Sequence, residues 1–186
     1  MAQFFDRLDE RLIRFIEAQP MFFVATAPPD GRVNLSPKGL DTFRVLTETC
    51  VAYLDLVGSG AETAAHLKAD GRITIMFNSF GDKPLILRLY GHGRYEDRQS
   101  DFAQRNGAAF PDHIAARGYV VVDIDQAQTS CGYAVPKMTL TEERSVLDKW
   151  AAQKGEKGLK DYVDTRNRRS IDGLPTGLGT EKEGIS

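Results

Sequence analysis

The residues best suited to chemistry lie between positions 32 and 77. Gly58-Ser59-Gly60 stands directly before a run of good helix formers, 61–69. A helix start presents unpaired backbone N–H groups and the positive end of the helix dipole, which together favour an anion. Ser59 and Thr63 add hydroxyl donors. Lys38 and Arg44, on or beside neighbouring strands, could supply charge to a phosphate. The turn is not a Walker loop, because no Gly-Lys-Ser/Thr follows it. Nor is it a GxGxxG fingerprint, because Thr63 occupies the third glycine position. On spacing alone, a plain strand-to-helix turn capped by Ser59 is the simpler account.

Other chemistries find less support. His66, His92 and His113 share no zinc-like spacing with each other, a cysteine or an acid, so no metal site is expected. His66 reads as a packing histidine and His92 as a solvent-exposed one. Cys50 and Cys131 form no CxxC pair and read as reduced thiols. The formal net charge of −2 gives no global reason to bind nucleic acid or anionic lipid. The first segment mixes charged with apolar residues, unlike a signal peptide, and no apolar run approaches the ~18 residues that span a bilayer. A cytoplasmic protein, bound to neither membrane nor nucleic acid, is the expectation.

The elements that must position these groups follow from periodicity. Residues 3–19 read as one amphipathic helix, with Phe5, Leu8, Leu12, Phe15 and Ile16 on one face and Pro20 as its stop. Strands are expected at 21–26, 32–37, 43–46, 50–56, 72–77, 85–95 (the longest) and 119–131. In the second of these, Val33 and Leu35 share one face and Asn34 and Ser36 the other. Pro28-Pro29-Asp30-Gly31 is a turn. Residues 97–117 lean to helix, broken near Asn106-Gly107 and Pro111. Thr139-Leu140-Thr141-Glu142 has the pattern of a capping box that opens a helix, with Val146, Leu147, Trp150 and Ala151 as its buried stripe. A second helix is expected around Leu159, Tyr162 and Val163, then an irregular stretch from Arg166 and a disordered tail after Gly179. At 186 residues the chain fits one domain, 1–186, with no internal linker. Many strands with few helices between them point to a mainly β fold, a closed or split barrel over about 21–136, followed by helices and a tail over about 139–186.

An ordered set of segments resembles the pyridoxamine 5′-phosphate oxidase-like flavin-binding family. It comprises Asn34-Leu35-Ser36-Pro37-Lys38-Gly39, Asp41-Thr42-Phe43-Arg44-Val45-Leu46, Tyr53-Leu54-Asp55-Leu56-Val57-Gly58-Ser59-Gly60-Ala61-Glu62-Thr63, His66-Leu67 and Arg72-Ile73-Thr74-Ile75-Met76-Phe77. Arg88-Leu89-Tyr90-Gly91 and Cys131-Gly132-Tyr133-Ala134-Val135-Pro136 follow in the same order. The resemblance implies a six-stranded split β-barrel with flanking helices. It implies a homodimer that holds flavin mononucleotide (FMN) in two clefts at its interface, and a small-molecule substrate or nicotinamide reductant. Carried over, the phosphate would meet Ser59, Gly60, Glu62 (through its backbone N–H) and Thr63, with Lys38 or Arg44 nearby. The ring would lie along Asn34, Ser36, Pro37 and Lys38 and along Tyr53, Leu54 and Asp55. The second subunit would add Arg88, Tyr90, Cys131 and Tyr133.

The sequence also departs from that pattern. Where the oxidase proper has a Ser-Arg-Lys triplet before its short helix, this chain reads Ala61-Glu62-Thr63, and the arginine-rich C-terminal motif that grips pyridoxal phosphate is missing. These departures separate the chain from the oxidase proper. The expected function is an FMN-dependent oxidoreductase with no catalytic side chain identified. The alternatives are a flavin carrier without turnover, or a split barrel holding haem or a deazaflavin, for which neither an axial histidine nor a long basic groove is evident. Residues 170–175, Ser-Ile-Asp-Gly-Leu-Pro, read either as an irregular surface tail or as a lid folded back on the ligand cleft.

Overall fold

The fold is described from a computed structural model, which describes residues 2–179. Its strands are β1 (Gln3–Phe5), β2 (Phe22–Thr26), β3 (Asn34–Lys38), β4 (Phe43–Thr47), β5 (Cys50–Leu56), β6 (Arg72–Asn78), β7 (Ile86–Asp97) and β8 (Ala116–Ser130). The helices are α1 (Glu10–Glu17), α2 (Glu62–Ala69), α3 (Asp101–Asn106) and α4 (Val146–Arg166). All strand pairings are antiparallel, in the order β3-β2-β6-β7-β8-β5-β4, with β1 added on β8. Strands β2 and β4 have no ladder between them. Their aromatic side chains nevertheless meet, with the Phe22 and Phe43 rings 4.9 Å apart. The sheet is therefore curled about one core but left open, as a split barrel.

That core is built from alternate residues of the strands. Val24, Val51, Tyr53, Ile75, Leu87, Leu89 and Val120 are fully buried, and Leu8, Leu12 and Ile16 close one end. The strand period of two places these side chains on the inner side; on β5 and β8 the alternate residues Ala52, Leu54 and Val121 are buried too, in a second cluster with Phe102, Phe110 and Tyr119. A β-bulge interrupts the β7–β8 register at Tyr90/Gly91. There a Cβ on Gly91 would lie 2.1 Å from the Asp123 carbonyl oxygen, so only glycine fits.

Three sequence expectations need correction. First, residues 3–19 are not one helix. Asp9 ends the extended segment by accepting the Leu12 N–H at 2.8 Å, which starts α1, and the residues before it pair with β8 as β1. Second, the longest strand is β8, at 15 residues, not β7.

Third, the Thr139–Glu142 pattern opens no helix. Those residues are exposed, and a first turn without a face to bury is not held by a cap alone. Helix α4 starts instead at Val146, which is 69% exposed, while Ala151 is buried and Leu147 and Trp150 partly so. It kinks at Gly155 (φ 63°), which separates the Trp150 stripe from the Leu159 segment much as the sequence suggests. The alternation at 33–38 is as expected, and its apolar side faces out: Val33 is 73% and Leu35 65% exposed. β3 is an edge strand lying beyond the curled core, and its polar side is turned toward β5 and α2. The expected disorder after Gly179 falls outside the described residues. Among the described residues, no helix is long and apolar enough to cross a membrane.

Candidate functional site

The sequence-derived residues separate into an inner cluster and an outer face. The inner cluster lies where β3, β5 and the start of α2 meet. Asn34, Ser36 and Lys38 alternate on the inward side of β3. Ser36 donates to the Asn34 side chain at 3.2 Å, and Asn34 reaches the Thr63 hydroxyl at 3.5 Å. Lys38 Nζ lies 3.7 Å from Asp55 and 5.8 Å above the Tyr53 ring. Helix α2 begins here with Ala61 at its cap position, a residue whose side chain cannot bond the first-turn N–H groups. Ser59 and Gly60 are exposed beside that uncapped start.

Two residues that sequence reasoning missed hold the cluster from behind. Arg117, at the start of β8, donates through Nε to Asp55 at 2.6 Å, through Nη1 to Asn167 at 2.9 Å and through Nη2 to the Gly60 carbonyl at 3.0 Å. Asn167, just past α4 and fully buried, donates to the Gly58 carbonyl at 3.0 Å. These contacts join residues 50 to 109 positions apart, which no local pattern announces. The one available signal was an arginine opening the otherwise apolar run Gly118-Tyr119-Val120-Val121-Val122.

Burial and charge set the protonation of the cluster. Burial, and then the Asp55 charge, push the Tyr53 phenol far above its ordinary range, so it stays protonated; its hydroxyl lies beside Thr63 without a bond of standard geometry. The Tyr95 phenol is raised for the same two reasons. Burial works against the Arg117 charge, but the Asp55 carboxylate more than offsets it and holds the guanidinium cationic.

The C-terminal segment folds back over the same turn. The Ile171 N–H donates to both Glu62 carboxylate oxygens, at 3.0 and 3.1 Å. Asp172 accepts from the Arg32 N–H at 2.8 Å and pairs with the Arg32 guanidinium. Residues 170–175 thus fold back onto Glu62 and Arg32. His66 is buried, as a packing histidine would be. Its Nδ1 lies 3.0 Å from the Thr26 hydroxyl and its Nε2 3.9 Å from Glu62. His92 is solvent-exposed and pairs with Asp125.

The remaining site candidates lie elsewhere. Arg44 is turned away from the Gly58–Gly60 turn, held by Asp41 and by the Ala109 carbonyl at 2.6 Å. Leu54 points to the opposite side of β5, into the Phe102–Tyr119 cluster. Pro37, Arg88 and Tyr90 lie on the outer face: Pro37 pairs with Phe23, Phe23 with Met76, and Met76 with Arg88. Arg88 donates to Ser130 at 3.1 Å and Tyr90 to Gln128 at 2.9 Å. Cys131 and Tyr133 are exposed just past β8.

The α2 start has no side-chain cap from Ala61, with Ser59 just before it and Thr63 in its first turn, donor types that suit an anion such as a phosphate monoester. Glu62 is the discordant group there, and its carboxylate is occupied by the Ile171 N–H.

The chain has known relatives in sequence and in fold. A family model described as pyridoxamine 5′-phosphate oxidase matches residues 8–146. A pyridoxamine 5′-phosphate oxidase family protein of Aspergillus flavus, ustO, is 38% identical over 195 aligned positions, covering 94% of this chain and 78% of its relative. Among solved structures, a HupZ variant from Group A Streptococcus aligns with a TM-score of 0.52 at 17% identity, covering 66% of this chain and 98% of the other. A provisionally assigned pyridoxamine 5′-phosphate oxidase of Lactobacillus delbrueckii aligns with a TM-score of 0.53 at 17% identity, covering 66% and 94%. The two structural likenesses bear on the fold alone. The family match over most of the chain and the Aspergillus relative carry the assignment: this split barrel belongs to the pyridoxamine 5′-phosphate oxidase family.

Proposed function

We propose that the chain binds FMN and works as a flavin-dependent oxidoreductase on a small organic substrate, with a nicotinamide as a candidate reductant, in the cytoplasm. The observation that carries this reading is the uncapped start of α2, flanked by Ser59, Gly60 and Thr63 and facing the polar side of β3. In this assignment the α2 N–H groups and the two hydroxyls hold the phosphate. Asn34, Ser36 and Lys38 line the edge of the ring system, and Lys38 supplies positive charge. FMN, when bound, supplies the hydride-accepting centre; the chain supplies position and electrostatics.

The outward apolar side of β3 supports a homodimer. Leu35 pairs with Ala25 and, with the exposed Val33 just before β3, lies on the side of the sheet that carries Phe23 and Met76, a face that association would cover. Arg88 and Tyr90 lie on that same face and would reach a partner's ligand.

A flavin carrier without turnover is the second reading. It is favoured by the state of the cluster's ionisable groups: Lys38, Asp55 and Arg117 are engaged with one another, and burial holds the Tyr53 proton. Anaerobic mixing of the FMN-loaded protein with NADH or NADPH separates the two. Bleaching of the flavin band, followed by its return with an added acceptor, supports the enzyme. A band that forms with FMN but never bleaches supports the carrier, and a protein that takes up no FMN refutes both.

A further inference from the structure

We infer that Asn167 is a positioning residue for the phosphate turn, acting through the Gly58 and Gly60 carbonyls rather than touching the ligand. The inference rests on the phosphate reading above. Asn167 is fully buried, and its carboxamide is used at both ends: Nδ2 donates to the Gly58 carbonyl and Oδ1 accepts from Arg117. Arg117 in turn donates to the Gly60 carbonyl. Two alternate carbonyls of one tight turn are thus drawn to the same side.

A trans peptide points its N–H opposite to its C=O. The peptide that carries the Gly58 carbonyl also carries the Ser59 N–H, and the Gly60 carbonyl shares its peptide with the Ala61 N–H. Holding both carbonyls against Asn167 and Arg117 therefore directs the Ser59 and Ala61 N–H groups to the other side, where they add to the donors of the uncapped α2 start. Glycine at 58 and 60 leaves this turn conformationally free, so its orientation has to be imposed from outside. Asn167 is itself fixed, since its backbone carbonyl accepts the buried Thr176 hydroxyl at 2.6 Å.

A positioning role at the phosphate end differs from a general structural role in one measurable respect. Loss of Asn167 should weaken binding of FMN but not of riboflavin, which has the same ring system and no phosphate. Fluorescence titrations of wild type, Asn167→Ala and Asn167→Asp with both ligands test this. The aspartate keeps an acceptor for Arg117 but has no donor for the Gly58 carbonyl.

Both variants are expected to lose about tenfold in FMN affinity, the scale of one buried hydrogen bond, and less than twofold in riboflavin affinity. Equal loss for the two ligands, or unchanged FMN affinity, would overturn the inference. A wild type that binds FMN no better than riboflavin would overturn the phosphate site, and this inference with it. If the Asn167 variants do not fold, the near-isosteric Thr176→Val carries the test, with a smaller loss confined to FMN.

Discussion

Replacing Arg117 by methionine is the sharpest test of how the site is held together. The Arg117 side chain is 8% exposed and that of Asp55 5%, and they meet at 2.6 Å, so water cannot take over for a missing partner. Removing one member of a buried ion pair costs roughly 3–5 kcal/mol, because the remaining charge is left uncompensated. Here Lys38 stays 3.7 Å from Asp55 and relieves part of that cost, which places the expectation at the lower end, about 3 kcal/mol. The same substitution also frees Asn167 and the Gly60 carbonyl. In a chain of this length such a loss lowers the melting temperature by about 6–12 °C. Urea unfolding of wild type, Arg117→Met, Asp55→Asn and the double variant should give a large coupling between the two positions with an unchanged slope. Lys38→Met, which removes a longer and more exposed contact, should cost less than about 1 kcal/mol. A loss under about 1 kcal/mol for Arg117→Met, or additive single losses, would refute the ion pair as the anchor of the turn.

Three further outcomes are expected. Glu62→Gln removes the negative charge nearest the proposed phosphate and should tighten FMN binding several-fold at low salt, with the gain fading as salt rises; fluorescence titration at two ionic strengths measures it. Gly91→Ala puts a Cβ 2.1 Å from the Asp123 carbonyl oxygen at the bulge, and should destabilise the fold by more than about 3 kcal/mol or abolish soluble expression, as read by thermal melts. Leu35→Arg, on the outward side of β3, should shift a dimer toward monomer in analytical ultracentrifugation while leaving the melting of the monomer within about 0.5 kcal/mol of wild type.

Much of this architecture was legible because it is local. The strands β2, β5, β6 and β7, the turn at Pro28–Gly31 and the short helix after Gly58-Ser59-Gly60 follow from β-prone runs and turn chemistry, and the structure has them where the residues suggest. Local rules failed where tertiary contacts overrode them. The stripe from Phe5 to Ile16 fits a helix throughout, yet Asp9 caps it midway and β8 offers the earlier residues a strand partner. Thr139-Leu140-Thr141-Glu142 has the right cap chemistry but nothing to pack against.

The site was legible on one side only. Asn34, Ser36, Lys38, Asp55 and Thr63 were identified from short segments, and the structure brings them together. Arg44 carries the right charge but is claimed by Asp41 within its own turn. Arg117 and Asn167, which hold the turn from behind, reach it across more than fifty residues of sequence. Their roles exist only once β8 and the end of α4 are packed against it.

The central claim is that the start of α2 grips a phosphate. Its most direct measurement is the ratio of wild-type affinities for FMN and riboflavin at low salt. A phosphate held by the α2 N–H groups, Ser59 and Thr63 gives FMN an advantage of at least tenfold, which shrinks when Ser59 and Thr63 are replaced by alanine. Equal affinities, or no saturable binding of FMN at all, would contradict it.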